Sequence, residues 1–438
     1  MSASAVPARP PTNGARPIRS FIVAALVLAF SLRLAFAVGY WVGKPLTLDE
    51  QEYLQLGGSL ANGQGLEYNA DSTSRHFERP PGFAAFVAGV LALSGGGAAS
   101  TLPRSSSDVP AAIKIAQTLL GVLGVGLVAA VAAQAAGRAA AVAGAFLAAV
   151  YPPLVWICGY VLSEPLYSAL ALAVVWLLNA AERPRVPGGR GVSVFVLLAG
   201  VAAGAAVLTK EAMVFFVPLA ALSLAARRRV IAALVFCAGV GIVLAPWVAH
   251  NYTVYGRFVL TAPHGGVTFW TGNNSLSSGE GDLAANPEMG RARVAFEQRH
   301  AGVRPEDLDS AYYREALRFI RDHPLRWLTL LARKFFYTFA PIGPSYRLHS
   351  ALYFGASLAS YALVFALGLA GLRRLARARR LAAAWALWLL AASTVLMSLV
   401  FFPQERFRIP VLDPTFVVAA GAWLGALGRT ARTFGSMV

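Results

Sequence analysis

Charge is scarce in this sequence. Only 13% of its 438 residues are charged and 57% are apolar, against roughly 25% charged in an average soluble domain. A soluble chain of this length could not hide that much apolar surface. Cysteine is scarcer still: there are two, Cys158 and Cys237. That excludes a disulfide framework or a cysteine metal site and leaves two small buried hydrophobes. No internal repeat of fixed period is present. Basic residues are not interleaved with aromatics as on a base-stacking surface, so the net charge of +17 does not indicate nucleic acid. What is present is a series of long apolar stretches joined by short polar loops, the pattern of an integral membrane protein.

Ten spans are expected, at 20–41, 111–134, 139–157, 163–181, 192–208, 212–226, 230–248, 351–371, 382–402 and 410–428. Basic residues set their sidedness. Arg9, Arg16, Arg19, Arg138, Arg183, Arg185, Arg190, Arg227–Arg229, Arg373–Arg380, Arg429 and Arg432 fall on the cytoplasmic side, with Glu182 as the only acid among them. Nearly every other acid falls at the opposite side, as do His76, His250, His264, His300, His323 and His349. This asymmetry decides Pro81–Leu93 and 325–340. Counting either as a span would put arginine runs outside, so both are expected to lie along the outer interface, the second as an amphipathic helix. The first span also fits a cleavable signal peptide, with Arg16 and Arg19 before an apolar core and Ala35-Phe36-Ala37 after it. That alternative changes no other loop.

The chain divides into a transmembrane module over 1–248 with an outer loop at 42–110, an outer region over 249–350, and C-terminal helices over 351–438. In the outer region Asp309–Ile320 reads as helix, broken by His323-Pro324, and Gly265–Asn274 reads as a glycine-rich turn and strand-like segment.

The outer side carries the residues that could do chemistry. Thr47-Leu48-Asp49-Glu50 opens a helix. Thr47 and Glu50 fit a capping box, which explains Glu50 better than Asp49. Glu78-Arg79-Pro80-Pro81 presents an acid and a base ahead of two stiffening prolines; the plain alternative is a surface ion pair. Glu164, with Ser163 and Pro165, sits at the mouth of a span, where acids are either dipole partners or functional. Lys210 and Glu211 are neighbours that cannot pair on one helix face, so each needs another partner; phosphate or a headgroup suits Lys210. Arg406 and Arg408 oppose the positive-inside trend, which favours an anionic partner. His250 and Asn251 follow Pro246-Trp247 at an aromatic belt. Acids beside bases at one lipid-facing rim suit transfer from a lipid phosphate ester, an acid taking a proton or holding a metal and the bases stabilising the departing phosphate.

Together these pieces resemble the GT-C glycosyltransferases of the protein O-mannosyltransferase and aminoarabinose-transferase type, glycosyltransferase family 39. The likeness covers most of the chain. It rests on Asp49-Glu50 after the first span, Glu78-Arg79-Pro80-Pro81, Glu164, Pro246-Trp247 with Asn251-Tyr252 and Gly256, and Arg406-Phe407-Arg408-Ile409-Pro410. His250 stands where the pattern usually has arginine. The resemblance implies an all-α polytopic fold with interfacial helices in the first outer loop. It implies a polyprenyl-phosphate-linked sugar as donor, inversion at the anomeric carbon, and a bacterial cell membrane with the site extracytoplasmic. Asp49 is implied as acid/base, with Glu78 binding the acceptor or a divalent cation; Glu164 joins them as a catalytic candidate. Arg79, Lys210, Arg406 and Arg408 are the candidate phosphate ligands, Glu50, His250 and Asn251 secondary candidates, and Glu78 and His264 the weak metal candidates. The acceptor is left open among glycolipid, cell-wall glycan and protein. A transporter or flippase, and a ligase or polymerase of lipid-linked glycans, are the competing readings.

Overall fold

The computed structural model describes residues 15–66, 79–95, 105–182, 190–281, 286–342 and 350–435. Glu78, His76 and His349 lie outside the described residues, as do Arg9, Arg183 and Arg185. Among the described residues the regular structure is helical. A lone antiparallel bridge, Pro45 to Ser105, ties the two ends of the first outer loop together.

The N-terminal helices are α1 (Ala15–Ala35), continued by a π-helical turn Phe36–Tyr40, then α2 (Leu48–Ala61) and α3 (Pro81–Leu93). Next come α4 (Ala111–Ala136), α5 (Arg138–Val150), α6 (Pro152–Trp156), α7 (Glu164–Ala181) and α8 (Arg190–Thr209). A 3-10 turn, Glu211–Phe215, leads into α9 (Phe216–Ala226), followed by α10 (Val230–Tyr255). The region 249–350 holds α11 (Gly265–Gly272), α12 (Pro287–Arg299), α13 (Pro305–Asp322) and α14 (Pro324–Phe339). The chain closes with α15 (Ala351–Arg377), α16 (Trp385–Val400), the single turn α17 (Glu405–Arg408) and α18 (Leu412–Gly435).

A helix stands at each expected span. Six described helices are long and apolar enough to cross a membrane, or seven if a bent pair is one span. Val194–Thr209, Glu211–Ala226 and Leu412–Gly428 are shorter apolar helices. The protein is therefore polytopic and all-α. Large apolar side chains such as Val27, Ile231, Leu234 and Leu363 face outward, the arrangement that lipid in place of water permits. Inside, small residues let backbones approach. Gly371 of α15 faces Ala419 of α18, where a Cβ would overlap the Ala419 carbonyl oxygen.

Three expectations are corrected. The span at 139–157 is not one helix: α5 and the segment Pro152–Gly159 meet at a 66° bend. Pro152 and Pro153 cannot supply the N–H groups that would continue α5. The carbonyls this leaves at its end are met by Arg33, which donates to Ala148 O and Ala149 O, both at 3.1 Å. The segment Gly265–Asn274 contains a helix, α11, not a strand. Its β-branched and aromatic composition suggested extension, but Val267, Trp270 and Thr271 fall on one helical face and are buried. Val267 and Trp270 pack with Phe296 and Tyr312, and Asp309 Oδ1 accepts the Gly266 N–H at the helix start, at 2.6 Å. Tertiary burial outweighs propensity here. Cys158 is buried as expected, whereas Cys237 is exposed, and both are free.

Candidate active site

The site is organised by the first turn of α2. Thr47 and Glu50 form the capping box: Glu50 Oε2 accepts from the Thr47 N–H and hydroxyl, each at 2.9 Å. The other Glu50 oxygen accepts the Val161 N–H at 3.0 Å, fastening α2 to the segment that runs into Glu164. That segment is held from behind by Gln117, which donates to Tyr160 O and Leu162 O, both at 2.9 Å. Glu50 thus serves in the framework, and burial raises its pKa against these hydrogen bonds. Asp49, one residue earlier and about 100° around the helix, points into the site.

Both Asp49 oxygens meet guanidinium groups: Oδ1 takes Arg79 and Oδ2 takes Arg406. Arg79 also reaches Glu52 Oε2 at 2.7 Å and lies over the Tyr53 ring. Beside them, Lys210 Nζ pairs with Glu164 Oε1 at 2.8 Å. The Phe407 ring sits under two cations, Lys210 at 4.6 Å and Arg406 at 5.4 Å. Three carboxylates, Asp49, Glu52 and Glu164, thereby face three cations, Arg79, Lys210 and Arg406. They come from α2, the turn before α3, the start of α7, the end of α8 and α17.

The charge states follow from this packing. Burial alone would raise the Asp49 pKa, but Arg406 and Arg79 outweigh it and hold the carboxyl well below the usual carboxylate range. Burial lowers Arg79 and Arg406, yet Asp49 raises both above the ordinary guanidinium value. Lys210 moves the other way: burial lowers it more than Glu164 restores. Burial pushes the Tyr53 phenol up to about 12, so it stays neutral.

Of the residues singled out from sequence, Asp49, Arg79, Glu164, Lys210 and Arg406 come together. Glu78 lies outside the described residues, and Arg408, His250, Asn251 and His264 do not join them. Arg408 is buried and donates to Asp413 Oδ1 at 2.8 Å while stacking 3.7 Å over Tyr361, so an internal acid takes the place expected for donor phosphate. His250 stacks on Trp247 at 5.1 Å. Asn251 is an internal brace, donating to Val259 O at 2.9 Å and Thr261 O at 3.2 Å. His264 occupies the N-cap of α11. Glu211 finds the partner its position demanded in the Thr261 hydroxyl. Glu52 was missed, although its spacing of three from Asp49 puts both on one helical face. Arg33 was missed too; a charge inside the first span was the available signal.

Among the described residues no group of three or more His, Cys, Asp or Glu side chains is placed to hold a metal ion. Both oxygens of Asp49 already meet cations. Glu78, one of the two weak metal candidates, lies outside the described residues.

The fold is that of an archaeal membrane oligosaccharyltransferase of known structure. The oligosaccharyltransferase AglB of Archaeoglobus fulgidus, solved with an inhibitory peptide and a dolichol-phosphate, matches with a TM-score of 0.59 at 16% identity, covering 96% of this chain and 51% of that one. An Archaeoglobus fulgidus oligosaccharyltransferase tethered to an acceptor peptide matches with a TM-score of 0.55 at 16% identity, over 93% of this chain and 49% of that one. The chain thus spans about half the length of these structures. ArnT from Cupriavidus metallidurans bound to undecaprenyl phosphate aligns at 18% identity over 94% of this chain and 78% of that one, with a TM-score of 0.46. More particularly, the family model for dolichyl-phosphate-mannose-protein mannosyltransferase matches residues 62–236. No curated protein matches by sequence.

Proposed function

We propose that the protein is a glycosyltransferase that moves a sugar from a polyprenyl-phosphate donor to an acceptor at the outer face of a bacterial cell membrane. The observation that carries this reading is Asp49 held between Arg79 and Arg406 in a charge-balanced cluster where α2, α7, α8 and α17 meet. Such a cluster is preorganised for a phosphate that gains charge as its bond to sugar breaks.

In the proposed reaction an acceptor oxygen attacks the anomeric carbon from the face opposite the phosphate. The bond from that carbon to the phosphate oxygen breaks, and its electron pair leaves with polyprenyl phosphate. The acceptor proton passes to Asp49. A carboxylate clamped by two guanidinium groups is a weak base. Arrival of the donor phosphate offers Arg79 and Arg406 a competing anion; as they turn toward it, Asp49 loses its partners and its basicity rises. Lys210 adds charge for the leaving phosphate. Glu164 keeps Lys210 in place, and Glu52 does the same for Arg79. Glu78 immediately precedes Arg79 and is the proposed acceptor contact. Phosphate esters of a polyprenol, membrane lipids and the acceptor are the partners; the sugar, and whether the acceptor is a glycolipid, glycan or protein, are not assigned.

The test is turnover of a panel of polyprenyl-phosphate monosaccharides by the purified protein, followed as release of the carrier phosphate. Asp49→Asn should lose at least about a thousandfold in kcat with its fold intact. Normal turnover by the variant would remove Asp49 from the chemistry. Movement of the donor across vesicle membranes without bond cleavage would replace the enzyme with a transporter.

A further inference from the structure

A second charged residue, far from the cluster in sequence, is buried with no role in the chemistry above. Lys334 on α14 has no exposed surface, and its ammonium donates to three neutral oxygens: Asn273 Oδ1 at 3.0 Å, Leu399 O at 3.0 Å and Val400 O at 3.5 Å. Burial alone pulls its pKa down, to about 7. Keeping an ammonium here costs solvation, and its hydrogen-bond acceptors among the described residues are all neutral, so its placement calls for an explanation.

Leu399 and Val400 form the last turn of α16, whose carbonyls have no intrahelical partners. A cation at that end satisfies them and opposes the helix dipole. Asn273 completes the joint: its amide donates to Val400 O at 2.9 Å and Phe269 O at 2.8 Å, and its oxygen also accepts Trp327 Nε1 at 3.2 Å. The backbone of Gly272 lies against the next carbonyl, that of Phe401, where any Cβ would overlap it. The Phe401 ring is held edge-on by Phe215 and Phe269 at 6.1 and 6.0 Å. The outer region, through α11 and α14, therefore grips the end of α16.

The consequence lies just downstream. Phe401, Phe402, Pro403 and Gln404 lead directly into α17, and Pro403 restricts both itself and Phe402. Arg406, the second residue of α17, meets Asp49. Beyond it, Arg408 is anchored on Asp413. Arg406 is thus carried on a short strut fixed at both ends.

We infer that Lys334 is a positioning residue: by clamping the end of α16 to the outer region, it sets where Arg406 presents its guanidinium to Asp49 and to the donor phosphate. This inference rests on the proposed role of Arg406, and its test includes a measurement that does not need turnover. Lys334→Met keeps the stem and removes the donors. Trp327→Phe, a milder change, removes only the indole bond to Asn273.

Amide hydrogen exchange on the purified full chain should rise about tenfold or more in peptides covering 399–408 of Lys334→Met, and less in Trp327→Phe. Peptides from α4 and α7 should be unchanged. Unchanged exchange over 399–408 in both variants overturns the inference. With a turned-over donor in hand, Lys334→Met should lower kcat by about tenfold or more. In an Arg406→Ala background the same change should cost less than about twofold, because the two act through one contact. Losses that multiply would show Lys334 acting elsewhere and overturn it. A wild-type protein that turns over no polyprenyl-phosphate sugar sinks the glycosyltransferase reading, and the exchange result then decides the role of Lys334 alone.

Discussion

Replacing Lys210 by methionine separates what the cluster does for stability from what it does for an anion. Lys210 Nζ lies 2.8 Å from Glu164 Oε1, and the Glu164 side chain is only 2% exposed. Without the ammonium that carboxylate stays buried with its bonded partner gone. Breaking a fully buried pair costs about 3–5 kcal/mol. Lys210 retains 16% exposure, and the Arg406 guanidinium still acts on Glu164, so the expected cost is at the lower end, about 2–3 kcal/mol. Adding Glu164→Gln removes the orphaned charge, and the double variant should recover most of that loss. Anion binding should fall most in the single variant. One cation fewer at roughly 8 Å, in an effective dielectric of about 20, is worth about 2 kcal/mol, or roughly thirtyfold in affinity, and loss of the adjacent carboxylate offsets most of it in the double variant. Thermal unfolding in detergent reads the first quantity, and calorimetric titration with a short-chain polyprenyl phosphate reads the second. Equal instability of the single and double variants would refute the buried-pair argument. Wild-type affinity in the single variant would remove Lys210 from phosphate binding.

Two further outcomes are expected from backbone geometry. Gly371→Ala drives a methyl into the Ala419 carbonyl between α15 and α18 and should destabilise by about 1–3 kcal/mol. Gly355→Ala, on the same helix with open space around it, should be neutral or slightly stabilising; thermal unfolding of the pair checks both. Arg228 and Arg379 hold φ of 59° and 53° in matching helix-ending turns, with Arg229 N bonded to Leu224 O at 3.0 Å and Arg380 N to Leu375 O at 2.9 Å. Arg228→Gly and Arg379→Gly should each raise stability, by about 0.5–1 kcal/mol, and a fall in the unfolding temperature would contradict the assignment.

The sequence made most of the helices legible because apolar run length and arginine placement are local signals. The matching extent of Pro81–Leu93 came from its own prolines and its apolar run. The break at Tyr151-Pro152 has a local mark in two prolines that the reading of one span over 139–157 passed over, and its stabiliser, Arg33, is 115 and 116 residues from the carbonyls it caps. Long-range satisfaction of that kind leaves no mark on a window of sequence. The same limit explains α11, whose composition is strand-like and whose helical start is completed by Asp309. In the site, charge sidedness brought Asp49, Arg79, Glu164, Lys210 and Arg406 to one rim. It could not tell which of two neighbouring arginines turns outward. Arg406 and Arg408 carry the same charge two residues apart, and only the buried acid of Asp413 separates their fates.

That buried acid bears on how the molecule is assembled. Asp413 also accepts the hydroxyl of Tyr151 at 2.9 Å, a contact closed across 262 positions of chain. The strut bearing Arg406 therefore acquires its downstream anchor only after α18 has docked against a bend made near the chain's first third. Until then a nascent polypeptide would hold Asp49 without its second guanidinium partner, so ionic completion of the rim belongs to the final stage of biogenesis.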